Sequence, residues 1–433
     1  MKPRQCPHEE AEAFSKAGSS AVNSNASSAV LAVPGPARLS AGLLFLLAVS
    51  CGVIVANLYY AQPLVGPISA SIGLAPGVSG MIVTLTQVGY GLGLLLIVPL
   101  ADLVENRRLV VSALLVTLAA LLAAALSANQ WLFLTAAFVI GLSCVAAQVL
   151  VPYAAHFTSE AHRGRAVGNV MTGLLLGIMF SRPIASVIAG VWSWHAVYFA
   201  SAVALALLIA VLSRSLPQRQ PTASMRYPAL LRSMGSLVFT TPVLRRRARY
   251  HALMFGAFSV FWTTVPLLLA SPTFGVSQPG IALFALVGVA GAIAAPIAGR
   301  LADRGWTRPA TAVAMLVVLG AFLLSRTATH GSEFELLLLG ACGVLIDLGV
   351  AANLVLGQRA IFVLGAEYRS RLNGLYMATF FFGGAVGSSL GAWSYFAHGW
   401  SMAALLGAAA PTLGLACFGT EFGGTGSGRR ASG

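Results

Sequence analysis

Charge is scarce in this sequence. Only 9% of its 433 residues are Asp, Glu, Lys or Arg, where soluble domains carry roughly 25%. Lysine is confined to Lys2 and Lys16, and acids number twelve in all. The five cysteines (Cys6, Cys51, Cys144, Cys342, Cys417) stand far apart. No CxxC or Cys/His spacing links them, so neither a disulfide framework nor a metal site is expected. Nor is there an apolar core just after Lys2 and Arg4, as a secretory signal would have. Gly89, Gly91 and Gly93 lie inside an apolar run without a lysine after them. They read as close helix packing rather than a phosphate loop, which excludes an ATP pump on this chain. His156, His162, His195, His330 and His398 sit near the ends of apolar runs without paired ligands. No catalytic constellation emerges. Neither an enzyme nor a bound cofactor is expected.

Hydrophobic residues, at 58%, are what the chain has in excess, against roughly 45–50% in soluble domains. A chain this apolar has too little polar surface for water, so a bilayer is the solvent that fits. The formal net charge of +14 raises nucleic acid as a partner. The basic residues form no continuous patch and do not interleave with stacking aromatics, so that partner is excluded.

Runs of the length a bilayer demands, about 20 apolar residues, lie near 40–61, 78–100, 109–127, 131–155, 166–190 and 195–213. They resume near 250–271, 279–299, 309–326, 334–357, 372–396 and 400–419. The fold class expected is therefore an all-α membrane protein with twelve transmembrane helices. Every Lys and Arg except Arg182 and Arg326 falls in a tail or an even-numbered connection. By the positive-inside rule both tails and the 6–7 connection are cytoplasmic, which points to a multi-pass protein of a bacterial inner membrane. The division follows: 1–38 a disordered tail, 39–213 a first six-helix bundle, and 214–249 an arginine-rich linker. A second bundle spans 250–419 and a tail 420–433. Within the linker, Tyr227 to Val243 mixes Leu and Val with Arg232, the composition of a short helix on an anionic leaflet.

The halves repeat. Glu160, Arg163, Arg165 and Gly168 between spans 4 and 5 match Glu367, Arg369, Arg371 and Gly374 between spans 10 and 11. Nearly the same offset aligns Gly177 with Gly383 and Trp194 with Trp400, and sets Leu100-Ala101-Asp102 against Leu301-Ala302-Asp303. Duplicated halves are a mark of transporters.

Gly299-Arg300-Leu301-Ala302-Asp303-Arg304 resembles the cytoplasmic signature of the major facilitator superfamily. Pro99-Leu100-Ala101-Asp102, followed by Arg107 and Arg108, is similar to a degraded copy. Val98 stands there for the usual Gly and Leu103 for a basic residue. Ala56-Asn57-Leu58-Tyr59-Tyr60-Ala61-Gln62-Pro63, Thr86-Gln87-Val88-Gly89-Tyr90 and Arg369-Ser370-Arg371-Leu372-Asn373-Gly374 resemble its drug/proton-antiporter branch, as does Phe382-Gly383-Gly384-Ala385-Val386-Gly387-Ser388. The resemblance implies two six-helix bundles that rock about a central cavity. It also implies a cytoplasmic gate, with Asp102 near the start of span 11, and Arg107, Arg108 and Arg371 bridging the halves when that side is closed. Asp303 and Arg304 are the second-half counterparts. One departure concerns coupling: many antiporters of the family carry an arginine in span 4 where this chain has Ala137.

A charge at the bilayer centre costs about 2.5–3.5 kcal/mol, so Arg182 in span 5 and Asp347 in span 10 are the candidates for proton coupling. They are expected at depths within about 10 Å of each other. Asn57, Tyr60, Gln62, Gln87 and Gln148 are cavity candidates in the first half, with Trp262, Thr263, Asn353 and Tyr376 in the second. Expected overall is a monomeric secondary transporter exporting a small organic solute in exchange for protons. An uncoupled facilitator or importer on the same fold is the alternative, and a membrane sensor or enzyme ranks below both.

Overall fold

The computed structural model describes residues 40–221, 226–365 and 368–423. The expected first tail, 1–38, and the end of the second, from 424 on, lie outside these residues, as does Glu367 of the repeated turn. The described residues contain helices and turns and no strand. That is the outcome a bilayer imposes, because a backbone that meets no water must satisfy its N–H and C=O groups within each segment.

Span 1 is the helix Ala41–Ala56, continued by the 3-10 turn Gln62–Leu64 and the short helix Val65–Ser71. Span 2 runs over Pro76–Asp102, span 3 over Asn106–Ala125 and span 4 over Gln130–His156. Spans 5 and 6 are Glu160–Val191 and Trp194–Ser215. After a surface helix, Tyr227–Thr240, span 7 is Pro242–Ala270. Span 8 joins Gln278–Ala285 to Gly291–Asp303, and spans 9 and 10 are Thr307–Ser325 and Glu333–Phe362. Arg369–Gly423 is one unbroken helical stretch except at Gly399, where φ is 77°. That left-handed residue turns span 11 into span 12, a conformation open to glycine at little cost. Twelve spans result among the described residues. Prolines loosen them where the sequence places them: Pro63 and Pro99 each sit in a tighter 3-10 turn.

Several helix starts are closed by side chains. Ser40 accepts from the N–H of Leu43, Asn129 from Leu132 and Ser193 from Ala196. Glu105 accepts from the N–H groups of both Arg107 and Arg108. Span 10 opens on a reciprocal cap between Ser332 and Glu335. The Glu335 carboxylate also gathers the N–H groups of Thr329, His330 and Gly331 at 3.2, 2.9 and 2.7 Å.

Large apolar side chains are exposed around the periphery, among them Phe45, Leu207, Leu283 and Phe334. On a chain of this composition that surface faces lipid. Lipid gives no hydrophobic drive between helices, so association depends on close packing. Both halves use the same device. Gly173 and Gly177 of span 5 lie against Ala48 and Gly52 of span 1, and Gly383 and Gly387 of span 11 against Ala252 and Gly256 of span 7. A side chain at Gly177 or Gly383 would collide with backbone of the facing helix. The glycines aligned by the internal repeat therefore do the same work in each half.

The 2–3, 4–5, 6–7, 8–9 and 10–11 connections share one side, here termed the basic face. The halves meet along spans 2 and 11 for their full length. Thr84 bonds Ser388 at 2.8 Å, Tyr90 packs on Phe381, and Gly374 lies near Leu94. Toward the opposite face span 5 also meets span 8, with Gly190 beside Pro279. Span 1 meets span 7 there as well, with Gly66 beside Leu267. On the basic face a cavity of about 500 Å³ opens beside the end of span 10, lined by Val355, Gln358, Arg359, Phe362 and Arg369.

Candidate functional site

Spans 1, 5, 7, 8 and 10 converge on the two intramembrane charges. Arg182 and Asp347 are 2% and 6% exposed. The Arg182 Nε donates to Gln62 Oε1 at 2.7 Å. Its guanidinium lies over three rings, 4.3 Å from the centre of Trp262, 5.1 Å from Phe258 and 5.3 Å from Tyr59. The faces of aromatic rings attract cations, most strongly where water is excluded. Asp347 accepts from Trp262 Nε1 at 2.8 Å. Trp262 thus touches the cation with its face and the anion with its edge.

The charges are close without touching. A β-carbon placed on Gly288 of span 8 would lie 3.0 Å from Arg182 Nη1 and 3.0 Å from Asp347 Oδ2. The two groups are therefore no more than about 6 Å apart. They form no ion pair within 4.0 Å, and the gap between them lies over Gly288, where a β-carbon would reach both. Arg182 belongs to the first half and Asp347 to the second, so this separation spans the seam. Two donors on the first-half side, Arg182 Nη2 and Gln62 Nε2, are buried without a partner among the described residues.

The other cavity candidates scatter. Gln87 of span 2 reaches across the seam to Ser259 of span 7 at 3.1 Å, about one helical turn from Trp262, and its Oε1 has no partner among the described residues. Thr263 is buried, its hydroxyl without a partner among the described residues. Asn57 is engaged within the first half, donating to Val53 and Ile54 carbonyls and accepting from Ser201 at 2.6 Å. Gln148 donates to Tyr90 at 3.0 Å, and Tyr60 is half-buried. Ala137 is buried in span 4. Asn353 and Tyr376 meet each other nearer the basic face, the Tyr376 hydroxyl donating to the Asn353 carbonyl at 3.5 Å.

Two membrane bundles meeting over a buried charge cluster match known proteins. The sequence profile of the Major Facilitator Superfamily matches residues 44–332 and again 250–425. The chain belongs to this superfamily. It is 38% identical over 379 residues to the uncharacterized transporter YgaY of Escherichia coli, covering 87% of this chain and 95% of that one. A Streptomyces coelicolor protein named as a probable transporter is 32% identical over 369 residues, with 84% of each chain covered. Among solved structures, the nucleoside transporter NupG superposes with a TM-score of 0.70 at 11% identity, over 88% of this chain and all of that one. At that identity the likeness is one of fold. The chain is a membrane transporter of the major facilitator kind.

The superfamily's charged turns sit on the basic face. Arg107 donates to the backbone carbonyls of Ser213 and Leu216, and Arg108 pairs with Glu105, so both are held within the first half. Asp303 pairs with Arg359 within the second half, and Arg304 is exposed. Asp102 lies within the fields of Arg219 and of Arg371 on span 11. The Arg371 guanidinium donates to Ser233 of the surface helix at 3.0 Å. Among the described residues no ion pair joins the two halves.

Sequence reasoning missed His251. It stands at the edge of the apolar run 250–271, directly after a run of arginines, and so is not among the cavity candidates, yet span 7 already begins at Pro242. The structure buries His251 completely, stacked on Tyr376 and Phe380 at 4.5 and 4.2 Å, with Nδ1 3.5 Å from Asn353 and Nε2 unpartnered. The signal available was its position two turns inside a helix that continues the apolar run. Gly288 was missed too, because a glycine in an apolar span carries no chemistry of its own.

Proposed function

We propose that this transporter couples solute movement to protons, with Asp347 as the group that takes up and releases the proton. One observation carries the reading: Asp347 faces Arg182 across the seam between halves, within about 6 Å but not in contact. An opposite charge nearby favours an ionised carboxylate, so any motion that changes this separation changes the hold of Asp347 on its proton. Alternating access of the two halves supplies such a motion. A small organic solute would bind beside Trp262, Gln62 and Gln87, where polar groups of both halves converge. A single chain suffices as a monomer, with the lipid bilayer as its solvent. Positive-inside charge placement supports the inner membrane and cytoplasmic termini, which makes the basic face the cytoplasmic one.

The drug/proton-antiporter resemblance supports efflux in exchange for protons. Exchange requires solute and proton to compete for the site, whereas co-movement requires them to bind together. The sign of the proton flux separates the two. An uncoupled facilitator is the second reading, favoured by Ala137 where related antiporters carry arginine.

The test uses proteoliposomes with an imposed pH gradient, screened with small antimicrobials, nucleosides and organic acids. Solute-triggered proton flux is expected in the wild type and is lost in Asp347→Asn. Equal solute uptake by both proteins, without proton flux, would establish the facilitator instead. The gate makes a separate expectation: Asp102→Asn slows transport at normal levels of inserted protein, and unchanged transport would remove Asp102 from the cycle.

A further inference from the structure

We infer that the solute is a small organic monoanion, seated by Arg182 and Gln62 and carried together with the proton of Asp347. The inference rests on Asp347 as the proton site and adds the substrate class and the direction of coupling. Its starting point is the pair of buried donors left over, Arg182 Nη2 and Gln62 Nε2. A buried donor without an acceptor costs about 1–3 kcal/mol, and more when it is charged. The two belong to side chains already joined by the Arg182 Nε to Gln62 Oε1 bond. That bond fixes the amide orientation, so the Gln62 NH2 cannot be exchanged for an acceptor. Arginine presents its donors in a rigid fork suited to carboxylate and similar oxyanions. Both unpartnered donors therefore ask for an acceptor, and beside a guanidinium the preferred acceptor is an anion. The rings of Tyr59, Phe258 and Trp262 around the guanidinium suit an organic anion with a flat apolar body.

Charge balance then sets the coupling. With Asp347 ionised and no solute, Arg182 and Asp347 sum to zero. When an anion joins Arg182 the site becomes net negative unless Asp347 binds a proton, and with the proton it is neutral again. Unbalanced charge inside the membrane is costly. The two states that cross at low cost are hence the empty site with ionised Asp347, and the site holding one anion and one proton. Solute and proton move the same way, so on this charge balance the coupling is co-movement, in place of the exchange that the family resemblance suggests. A cationic solute would leave the site net positive in each state that crosses the membrane, and it would leave the two donors unmet.

The experiment is calorimetric titration of the detergent-purified full chain with benzenesulfonate, which stays anionic throughout, so any proton taken up belongs to the protein. Benzenesulfonamide and benzyltrimethylammonium are the neutral and cationic counterparts, and benzoate is a second anion. Expected is binding of the anions that tightens as pH falls, by at most about tenfold per unit, with about one proton taken up per anion. Asp347→Asn binds the anion without pH dependence. Arg182→Gln binds at least roughly tenfold more weakly. Gln62→Met keeps the charge and is the more conservative change; it weakens binding by roughly tenfold with its pH dependence intact. The inference is overturned if neither benzenesulfonate nor benzoate binds at millimolar concentration, or if the neutral analogue binds as well as the anion. Binding of the cation with proton release also overturns it, while leaving Asp347 as the proton site. Anion binding that ignores pH in wild type and Asp347→Asn alike overturns the coupling and places the failure at Asp347, not at the anion seat.

Discussion

Asp347→Leu is expected to destabilise the protein far more than Arg182→Met. Each change strands one buried charge, and stranding such a charge typically costs about 3–5 kcal/mol. The two residues differ in how they escape. A stranded carboxylate can bind a proton and become neutral. A guanidinium cannot release one in a protein. In Asp347→Leu the Arg182 cation remains beside Trp262 with its compensating anion gone, so the full penalty applies. The double variant removes both charges and should recover much of the loss, since matched apolar replacements of a buried pair are often near neutral. Thermal unfolding in detergent, followed by intrinsic tryptophan fluorescence, reads all three. If the losses of the single variants simply add in the double variant, the charges do not share a field across Gly288, and the coupling argument fails with them.

Gly383→Val is expected to leave little folded protein in the membrane. Span 11 lies so close to span 7 that a side chain at Gly383 would overlap the Ala252 backbone. Backbone cannot step aside as a flexible side chain can. Overpacking costs about 1–3 kcal/mol in ordinary cores and occasionally more. Here two whole helices must separate, and with them Gly387 from Gly256. Gly177→Val should act alike through Gly52. Gly168→Ala is the control, because nothing lies within 4 Å of the added carbon. There the helix should gain about 0.5–1 kcal/mol from lower backbone freedom. The measurement is the monodisperse fraction after extraction, by size-exclusion chromatography. Normal recovery of Gly383→Val would mean that the packing device common to both halves is not needed for assembly.

The twelve spans were legible because apolar runs of about 20 residues fit helices across lipid and arginines mark alternate connections. The repeat was legible as well, and the paired glycines show why it persists: each half needs the same close approach. Span edges were less so. Arg245, Arg246, Arg247 and Arg249 read as linker, yet they lie on the first turns of span 7, where long side chains can reach the membrane surface while the backbone stays helical. The partnership of Arg182 and Asp347 was visible as two costly charges at similar depth. Their true relation was not, because it depends on a third helix bringing Gly288 alongside the gap between them and on Trp262 serving both. Contacts between residues 85 positions apart, such as Trp262 with Asp347, leave no trace in a single sequence. Asn57 shows the converse: its residue type suggested a cavity, but its hydrogen bonds are used up within its own half.

The surface helix Tyr227–Thr240 ties both halves at one place. Tyr227 donates to the Leu96 carbonyl on span 2 at 2.8 Å, and Ser233 accepts from Arg371 on span 11. Spans 2 and 11 are also the pair in contact from face to face. Together they resemble the spine of a book, stitched at one end by this helix. Covers bound in that way part along the fore-edge rather than lifting away in parallel. The angle of opening is then limited by how far the stitching gives.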